Sequence, residues 1–355
     1  MKEISTLSER GYHVIVLGWD RDGEALSKCQ DIFGKEIEFY FYTEKLNNIG
    51  LKHINKLFKW FLWIFQHLKM IIRQERMFII HACNLDTAIP AYIFLKKYKN
   101  SSLKFVYDIY DYYVDSHHIP LILQNPIDNL ETKIINSADL TIICNEERRS
   151  QIAKATPKKL LVIHNAPGLR NVKFSSEKKQ YDYAYCGSLA PARLLKEIFN
   201  SYGENRDISM VIAGYGMYDT IAKTVSRQFT NFCYKGILSY PEVLKTETSA
   251  KILSAIYDPS VKNHKFAAPN KFYEAMALGK PIIVCKGTGI DLIVEKYKLG
   301  IVIPYDAKSF YDAIRKLLKN PNLCNEMGRK ARNIFLRKYN WEKMEKLLLD
   351  SYESL

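Results

Sequence analysis

Twelve short apolar runs, rich in β-branched and aromatic residues and separated by stretches of helical spacing, constrain this chain most. In the first half they are Val14–Leu17, Glu38–Tyr42, Phe78–His81, Lys104–Tyr107, Leu140–Ile143 and Leu160–Ile163. In the second half they are Tyr183–Cys186, Met210–Ala213, Asn231–Tyr234, Ile252–Ile256, Pro281–Val284 and Ile301–Ile303. Strands that are apolar throughout, alternating with helices, belong to parallel sheets covered on both faces. Six strands per half predict an α/β chain of two doubly wound, Rossmann-like domains. No repeat of short period is present, which excludes a solenoid. Asn165-Ala-Pro-Gly168 stops the first half, and the polar stretch Lys173–Gln180 reads as a linker. The expected division is 1–166, a linker over 167–180, a second domain over 181–340, and a closing helix over 341–355.

Composition narrows the partners. The 355 residues include 52 Lys plus Arg against 38 Asp plus Glu, a formal charge of +14. That balance favours anionic partners: nucleic acid, an anionic membrane or a phosphorylated small molecule. No nucleic-acid-binding module is present and the basic residues are dispersed, so nucleic acid is not expected. The seven cysteines are odd in number and scattered, with no Cys-x-x-Cys. A disulfide framework and a zinc ribbon are therefore unexpected, and a reducing, cytoplasmic compartment fits best. Met1–Arg10 is charged and lacks the apolar core of a signal peptide. The most apolar stretch, Leu57–Ile72, is short and interrupted by Lys59 and Lys69, so no spanning helix is expected.

Ligands of doubly wound domains bind at the carboxyl ends of the strands. The loop and helix after Ile256 carry the most information. Pro269 and Asn270 open a helix, with Asn270 as its expected cap, and Gly279 and Pro281 close it. The start of such a helix attracts phosphate through its free N–H groups and dipole. Glu274, one turn in, either complements the dipole or accepts hydrogen bonds from ribose hydroxyls. The glycines of Ala213-Gly-Tyr-Gly216 follow a strand and precede a helix, where they serve as a tight turn or a phosphate cradle.

Pro269-Asn-Lys-x-x-Glu-Ala-Met-Ala-x-Gly-Lys-Pro281 resembles the signature helix of glycosyltransferase family 4, retaining enzymes of the GT-B fold. Tyr185-Cys-Gly-Ser-Leu189 with Arg193, Val211-Ile-Ala-Gly-Tyr-Gly216 and Tyr234-Lys-Gly236 resemble successive landmarks of the donor domain of that family. Asn340-Trp-Glu342 resembles the start of its closing helix, which crosses back to the first domain. His81–Asp86, Tyr107–Asp111 and His164–Ala166 resemble acceptor-domain landmarks. The resemblance implies a GT-B fold with two domains facing a cleft, an acceptor side at 1–166 and a nucleotide-sugar donor side at 181–340. Met1–Gly11 reads as the first helix of the family, so the N-terminal domain is expected to lack the first strand.

The resemblance implies roles residue by residue. Glu274 matches the glutamate that holds the nucleotide ribose, while Phe266 stands where a glutamate near the donor sugar is usual. Gly187, Ser188, Arg193, Gly214, Gly216, Ala267, Ala268, Asn270 and Lys271 fall at donor- and phosphate-binding positions. Ser188 replaces the usual Arg, and Arg193 supplies a cation suited to phosphate. Tyr110 replaces the acceptor-side histidine, and Asp108 and Asp111 either serve the acceptor or cap strand ends. Catalytic candidates are therefore Glu274, Tyr110 and Asp111. Asp20-Arg-Asp22 follows the first strand and reads as a polar loop, not a metal motif. His117-His118 lacks spaced partner ligands, so no metal or cofactor is expected.

A basic aromatic helix completes the picture. Ile54, Leu57, Phe58, Phe61, Phe65, Leu68 and Ile72 share one face, and Lys52, Lys56, Lys59, Trp63 and Arg73 the other, with Trp60 at the flank. The second face is either solvated or interfacial, with Lys56, Lys59, Trp60 and Trp63 toward an anionic membrane. The expected activity is transfer of a sugar from a nucleotide-diphosphate sugar to a hydroxyl of a lipid-linked sugar or surface polysaccharide, with retention and without metal. The alternatives are a nucleotide-sugar epimerase or hydrolase on the same fold, and a degenerate sugar-nucleotide-binding protein.

Overall fold

Parallel pairing organises every described strand of the chain. The structure, a computed structural model, describes residues 1–21, 23–33, 37–44, 51–72, 78–98, 102–117, 119–169 and 180–355, excluding the side chains of 51–54. Asp22, Arg73, His118, the side chains of Lys52 and Ile54, and residues 170–179 of the expected linker lie outside that description. The chain forms two compact units: Met1–Ile163 with Glu345–Leu355, and His164–Met344.

The first unit runs α1 (Lys2–Glu9), β1 (Ile15–Asp20), α2 (Ala25–Phe33), β2 (Glu38–Thr43), α3 (Leu51–Ile71), β3 (Phe78–Cys83), α4 (Leu85–Lys97), β4 (Leu103–Ile109), α5 (Tyr113–Ser116), α6 (Leu121–Ser137), β5 (Leu140–Ile143), α7 (Arg148–Gln151) and β6 (Leu160–Val162). Its strands do not form one sheet. β1 pairs only with β2, and β3-β4-β5-β6 form a separate sheet. Among the described residues no strand bridges β1 to β3. The core beneath the larger sheet is aromatic and aliphatic, with Trp60, Ile64 and Leu68 of α3 against Phe94, Phe105 and Tyr107.

The second unit runs β7 (Tyr181–Cys186), α8 (Leu195–Asn200), β8 (Met210–Ala213), α9 (Asp219–Gln228), β9 (Phe232–Tyr234), α10 (Tyr240–Thr248), β10 (Ala250–Ala255), α11 (Asn270–Ala277), β11 (Ile282–Cys285), α12 (Ile290–Tyr297), β12 (Gly300–Ile303), α13 (Ala307–Leu318), α14 (Pro321–Lys338) and the start of α15 (Trp341–Glu353). Its sheet has the order β12-β11-β10-β7-β8-β9. Tyr183, Phe199, Phe232 and Phe310 are buried in one cluster of this unit, and Phe272, Tyr273, Met276 and Phe335 in another. Pro167–Leu169, read as linker, is fixed to the start of α15: Trp341 N–H donates to the Pro167 carbonyl at 3.1 Å and Leu169 N–H to Glu342 Oε1 at 2.7 Å.

Helix α3 corrects the sequence reading. Its most buried residues are Trp60, Ile64, Leu68 and Ile71, while Phe58 is 59% exposed. Trp60 is 3% exposed and stacks on half-buried Trp63 at 5.3 Å, so it belongs to the core and faces no membrane. The indoles outbid Phe58 for the core because they bury more apolar surface. Lys56 is half-buried, and exposed Lys59 lies 3.8 Å from Glu44. No helix among the described residues is long and apolar enough to cross a membrane.

Candidate functional site

The strand order of the second unit reverses between β7 and β10, and that switch point is where an open α/β sheet leaves a crevice for ligands. The chain leaves β7 through Gly187 and exposed Ser188. Gly187 N–H donates to the Ala213 carbonyl at 2.9 Å, and Gly214 N–H to the Gly236 carbonyl at 2.7 Å. Gly214 has φ +136°, and a methyl group there would collide with the Gly187 carbonyl. Gly216 is similar: a Cβ would lie 2.7 Å from the Leu189 carbonyl oxygen. Both glycines are thus required by backbone packing of the β8 loop on the β7 loop.

Helix α11 begins after β10. Its N-cap is Pro269, so Asn270, expected as the cap, is instead the exposed first helical residue. A 3-10 turn over Lys262–Phe266 leads into it, and the Ala267 N–H donates to the His264 carbonyl at 3.3 Å. Half-buried Ala268 follows. The Asn270 and Lys271 amides lie in the first turn, where N–H groups lack intrahelical acceptors. Lys271 Nζ sits 3.7 Å over the Tyr185 ring and beside Gly187. Burial opposes its charge, but Tyr185 and Tyr257 outweigh that and hold the ammonium above its ordinary pKa.

Glu274 lies one turn deeper and is 5% exposed. It faces the hydroxyl of Tyr240, which burial first and then Glu274 push above the phenol range. A second carboxyl, Glu247 at the end of α10, is buried beside it. Desolvation and the Glu274 charge raise the Glu247 pKa well above the carboxylate range. Lys271 and Lys235 complete the charge set around the Cys186 thiol, which burial pushes up. One end of the sheet thus gathers two cations, two carboxyl groups and the start of a helix.

Arg193 lies in the same quarter. Its guanidinium stacks 3.9 Å over the Tyr257 ring, and Nη1 is 3.1 Å from His264 Nε2. His264 Nδ1 contacts the Asp258 carbonyl at 2.8 Å, which leaves Nε2 to accept from Arg193. Ala192 and Leu194 flank Arg193 with φ of +61° and +60°. Backbone strain of this kind is held where the surroundings over-determine it.

Tyr110 and Asp111 lie in the first unit, in the turn after β4. Asn84 holds that turn, its Oδ1 accepting from the Tyr110 and Asp111 amides at 3.0 and 3.2 Å. Asp111 is exposed, 3.7 Å from buried Arg148. Asp20 accepts from the Gly23 and Ala25 amides at 2.7 and 3.1 Å as a loop residue. His117 stacks on Tyr113 at 4.2 Å. Sequence reasoning missed Glu247, Tyr240, Lys235, His264 and Asn84. Glu247 and Tyr240 belong to α10, two elements before α11 in the chain, so local spacing carries no sign of them.

Residues 170–334 match the family model described as glycosyl transferases group 1. No curated protein matches the sequence. Among solved structures the chain is similar to sucrose-phosphate synthase from Thermosynechococcus elongatus, at 15% identity and a TM-score of 0.70, covering 99% of this chain and 91% of that one. It is also similar to HepE of Anabaena in complex with UDP, at 14% identity and a TM-score of 0.69, covering 100% and 95%. An Escherichia coli trehalose-6-phosphate structure, bound with UDP-2-fluoro glucose, gives 8% identity and a TM-score of 0.70, covering 100% and 95%. The second unit thus carries a glycosyl transferases group 1 match that spans the helix at the switch point, and the chain shares the GT-B fold of these structures.

Proposed function

We propose that the second unit binds a nucleotide-diphosphate sugar at the switch point and that the chain transfers its sugar, with retention, to a hydroxyl of a lipid-linked or polysaccharide acceptor. One observation carries this reading: buried Glu274 sits one turn inside a helix whose start is flanked by Lys271 and Arg193. Glu274 would accept from ribose hydroxyls. Lys271, Arg193 and the first amides of α11 would meet the diphosphate and stabilise the charge that develops on it as the leaving group departs. That set of cations supports transfer without a metal at the donor. Complexes of HepE with UDP and UDP-glucose make a uridine nucleotide the first donor to test. On the acceptor side, Tyr110 and Asp111 would contact the incoming hydroxyl. A place at the inner face of a membrane is supported by α3, whose exposed residues include Phe58, Lys59, Leu62 and Met70.

A thermal-shift titration against UDP, GDP, dTDP and ADP, with and without Mg²⁺, tests the donor site. Ligand at about 100 times its Kd stabilises by roughly 2.7 kcal/mol, a readable shift. The expected result is a metal-independent shift with one nucleotide. A cooperative melt that none of the four moves would overturn the assignment.

A further inference from the structure

We propose that His81, Cys83 and Asp108 bind a zinc ion at the carboxyl ends of β3 and β4. The site belongs to the first unit and does not rest on the donor reading.

The backbone places the ligands. His81 and Cys83 are two residues apart on β3, so they point to the same face. Asp108 on β4 is the register partner of Cys83 and shares that face. One ligand atom from each of the three lies within 4.8 Å of the others. His81 Nε2 is 3.5 Å from Asp108 Oδ2, and Glu3 Oε2 of α1 approaches the same nitrogen at 3.6 Å from outside the set of three.

These atoms meet one another at ion-pair distance and make no well-formed hydrogen bond. His81 Nε2 and Asp108 Oδ2 are buried and neither makes a hydrogen bond. Asp108 is 3% exposed. Buried polar atoms are nearly always satisfied, and leaving them otherwise is costly. The other ring nitrogen, His81 Nδ1, is engaged at 2.6 Å by the Tyr352 hydroxyl of α15. That contact directs Nε2 at the cluster, as the outer partner of a metal-bound histidine does.

The donor set selects the metal. One imidazole nitrogen, one sulfur and one carboxylate oxygen suit Zn²⁺, whereas Mg²⁺ and Ca²⁺ take oxygen alone. Cys83 now donates its S–H to the Tyr110 hydroxyl at 3.3 Å. On binding, the thiol proton leaves to solvent and the thiolate becomes the ligand, with Tyr110 O–H free to donate to it.

The test uses the whole chain, stripped with a chelator and titrated with Zn²⁺ against a chromophoric competitor, and separately with Co²⁺. One zinc per chain is expected, with a thiolate-to-cobalt charge-transfer band. Cys83→Ser abolishes that band, while Cys324→Ser leaves it intact. Tyr352→Phe, which removes the group orienting His81, weakens zinc binding by about 10–100-fold. Zinc also protects Cys83 of the unmodified chain from alkylation, read by peptide mass spectrometry, which covers the case of a variant that does not fold. Absence of stoichiometric zinc, a cobalt band that survives Cys83→Ser, or alkylation of Cys83 at the same rate with and without zinc each overturns the proposal.

Discussion

Glu131 is a carboxylic acid sealed inside the first unit, 0% exposed on α6. Tyr107 O–H donates to it at 2.7 Å and the Tyr113 amide at 3.3 Å. Burial still prevails and pushes its pKa from 4.5 up to about 7. A folded-state pKa above the unfolded one means that the native state holds the proton longer. Its contribution is therefore full below pH 4.5 and is lost as pH rises to about 7. Glu131→Gln removes the titration. The stability of the unmodified protein relative to that variant should fall by on the order of 1–3 kcal/mol between pH 4.5 and 8, measured by paired denaturant melts. Glu274, proposed to hold the donor ribose, makes a different prediction. Glu274→Gln removes a charged hydrogen-bond acceptor, which is worth about 1.5–3 kcal/mol, so nucleotide affinity should drop by roughly 10–150-fold in calorimetric titration. Unchanged affinity would remove Glu274 from the ribose. The helix that carries Glu274 was legible because it has start and stop signals within twelve residues. Glu247, its buried neighbour, was not, because only the fold of β10 beside β7 brings α10 to that place.

At the scale of elements, loop packing decides what the glycines tolerate. Gly214→Ala sets a methyl against the Gly187 carbonyl at a φ of +136°, and should cost at least about 2 kcal/mol. Gly236→Ala meets nothing within 4 Å at φ +67°, so only the backbone penalty of about 1–2 kcal/mol applies. Chemical denaturation of the two variants should rank them in that order; equal costs would mean that the β7 and β8 loops are not packed as described. Helix packing shows the same logic at Gly328 of α14, where a Cβ would strike the Gly279 carbonyl at the end of α11. Strands were the most legible elements. Leu140–Ile143 and Met210–Ala213 match the expected runs residue for residue, since a strand covered on both faces is apolar throughout. The expected runs at Val14–Leu17 and Lys104–Tyr107 are shorter than β1 and β4, because strand ends carry polar residues such as Asp20 and Asp108. The face of α3 was not legible. Apolar residues surround much of that helix, and periodicity alone cannot say which aromatic wins the interior.

At the scale of the molecule, the first unit is built from two separate stretches, 1–163 and 345–355, with the second unit between them in sequence. Tyr352 meets His81, Glu345 Oε1 accepts from the Thr6 hydroxyl at 3.0 Å, and Arg10 pairs with Glu353 at 2.7 Å. Deleting residues 345–355 should therefore loosen α1 and β3 while sparing the switch-point sheet of the other unit. Hydrogen exchange should quicken at residues 2–9 and 78–83 and stay unchanged at 210–213; uniform acceleration would contradict this. The same arrangement sets a timetable on the ribosome. Domains generally fold as units while the chain emerges, N-terminal ones first. Here the first-made domain cannot be finished first. Its residues 1–163 wait, incomplete, until 164–344 has been translated and residues 345–355 arrive to close it.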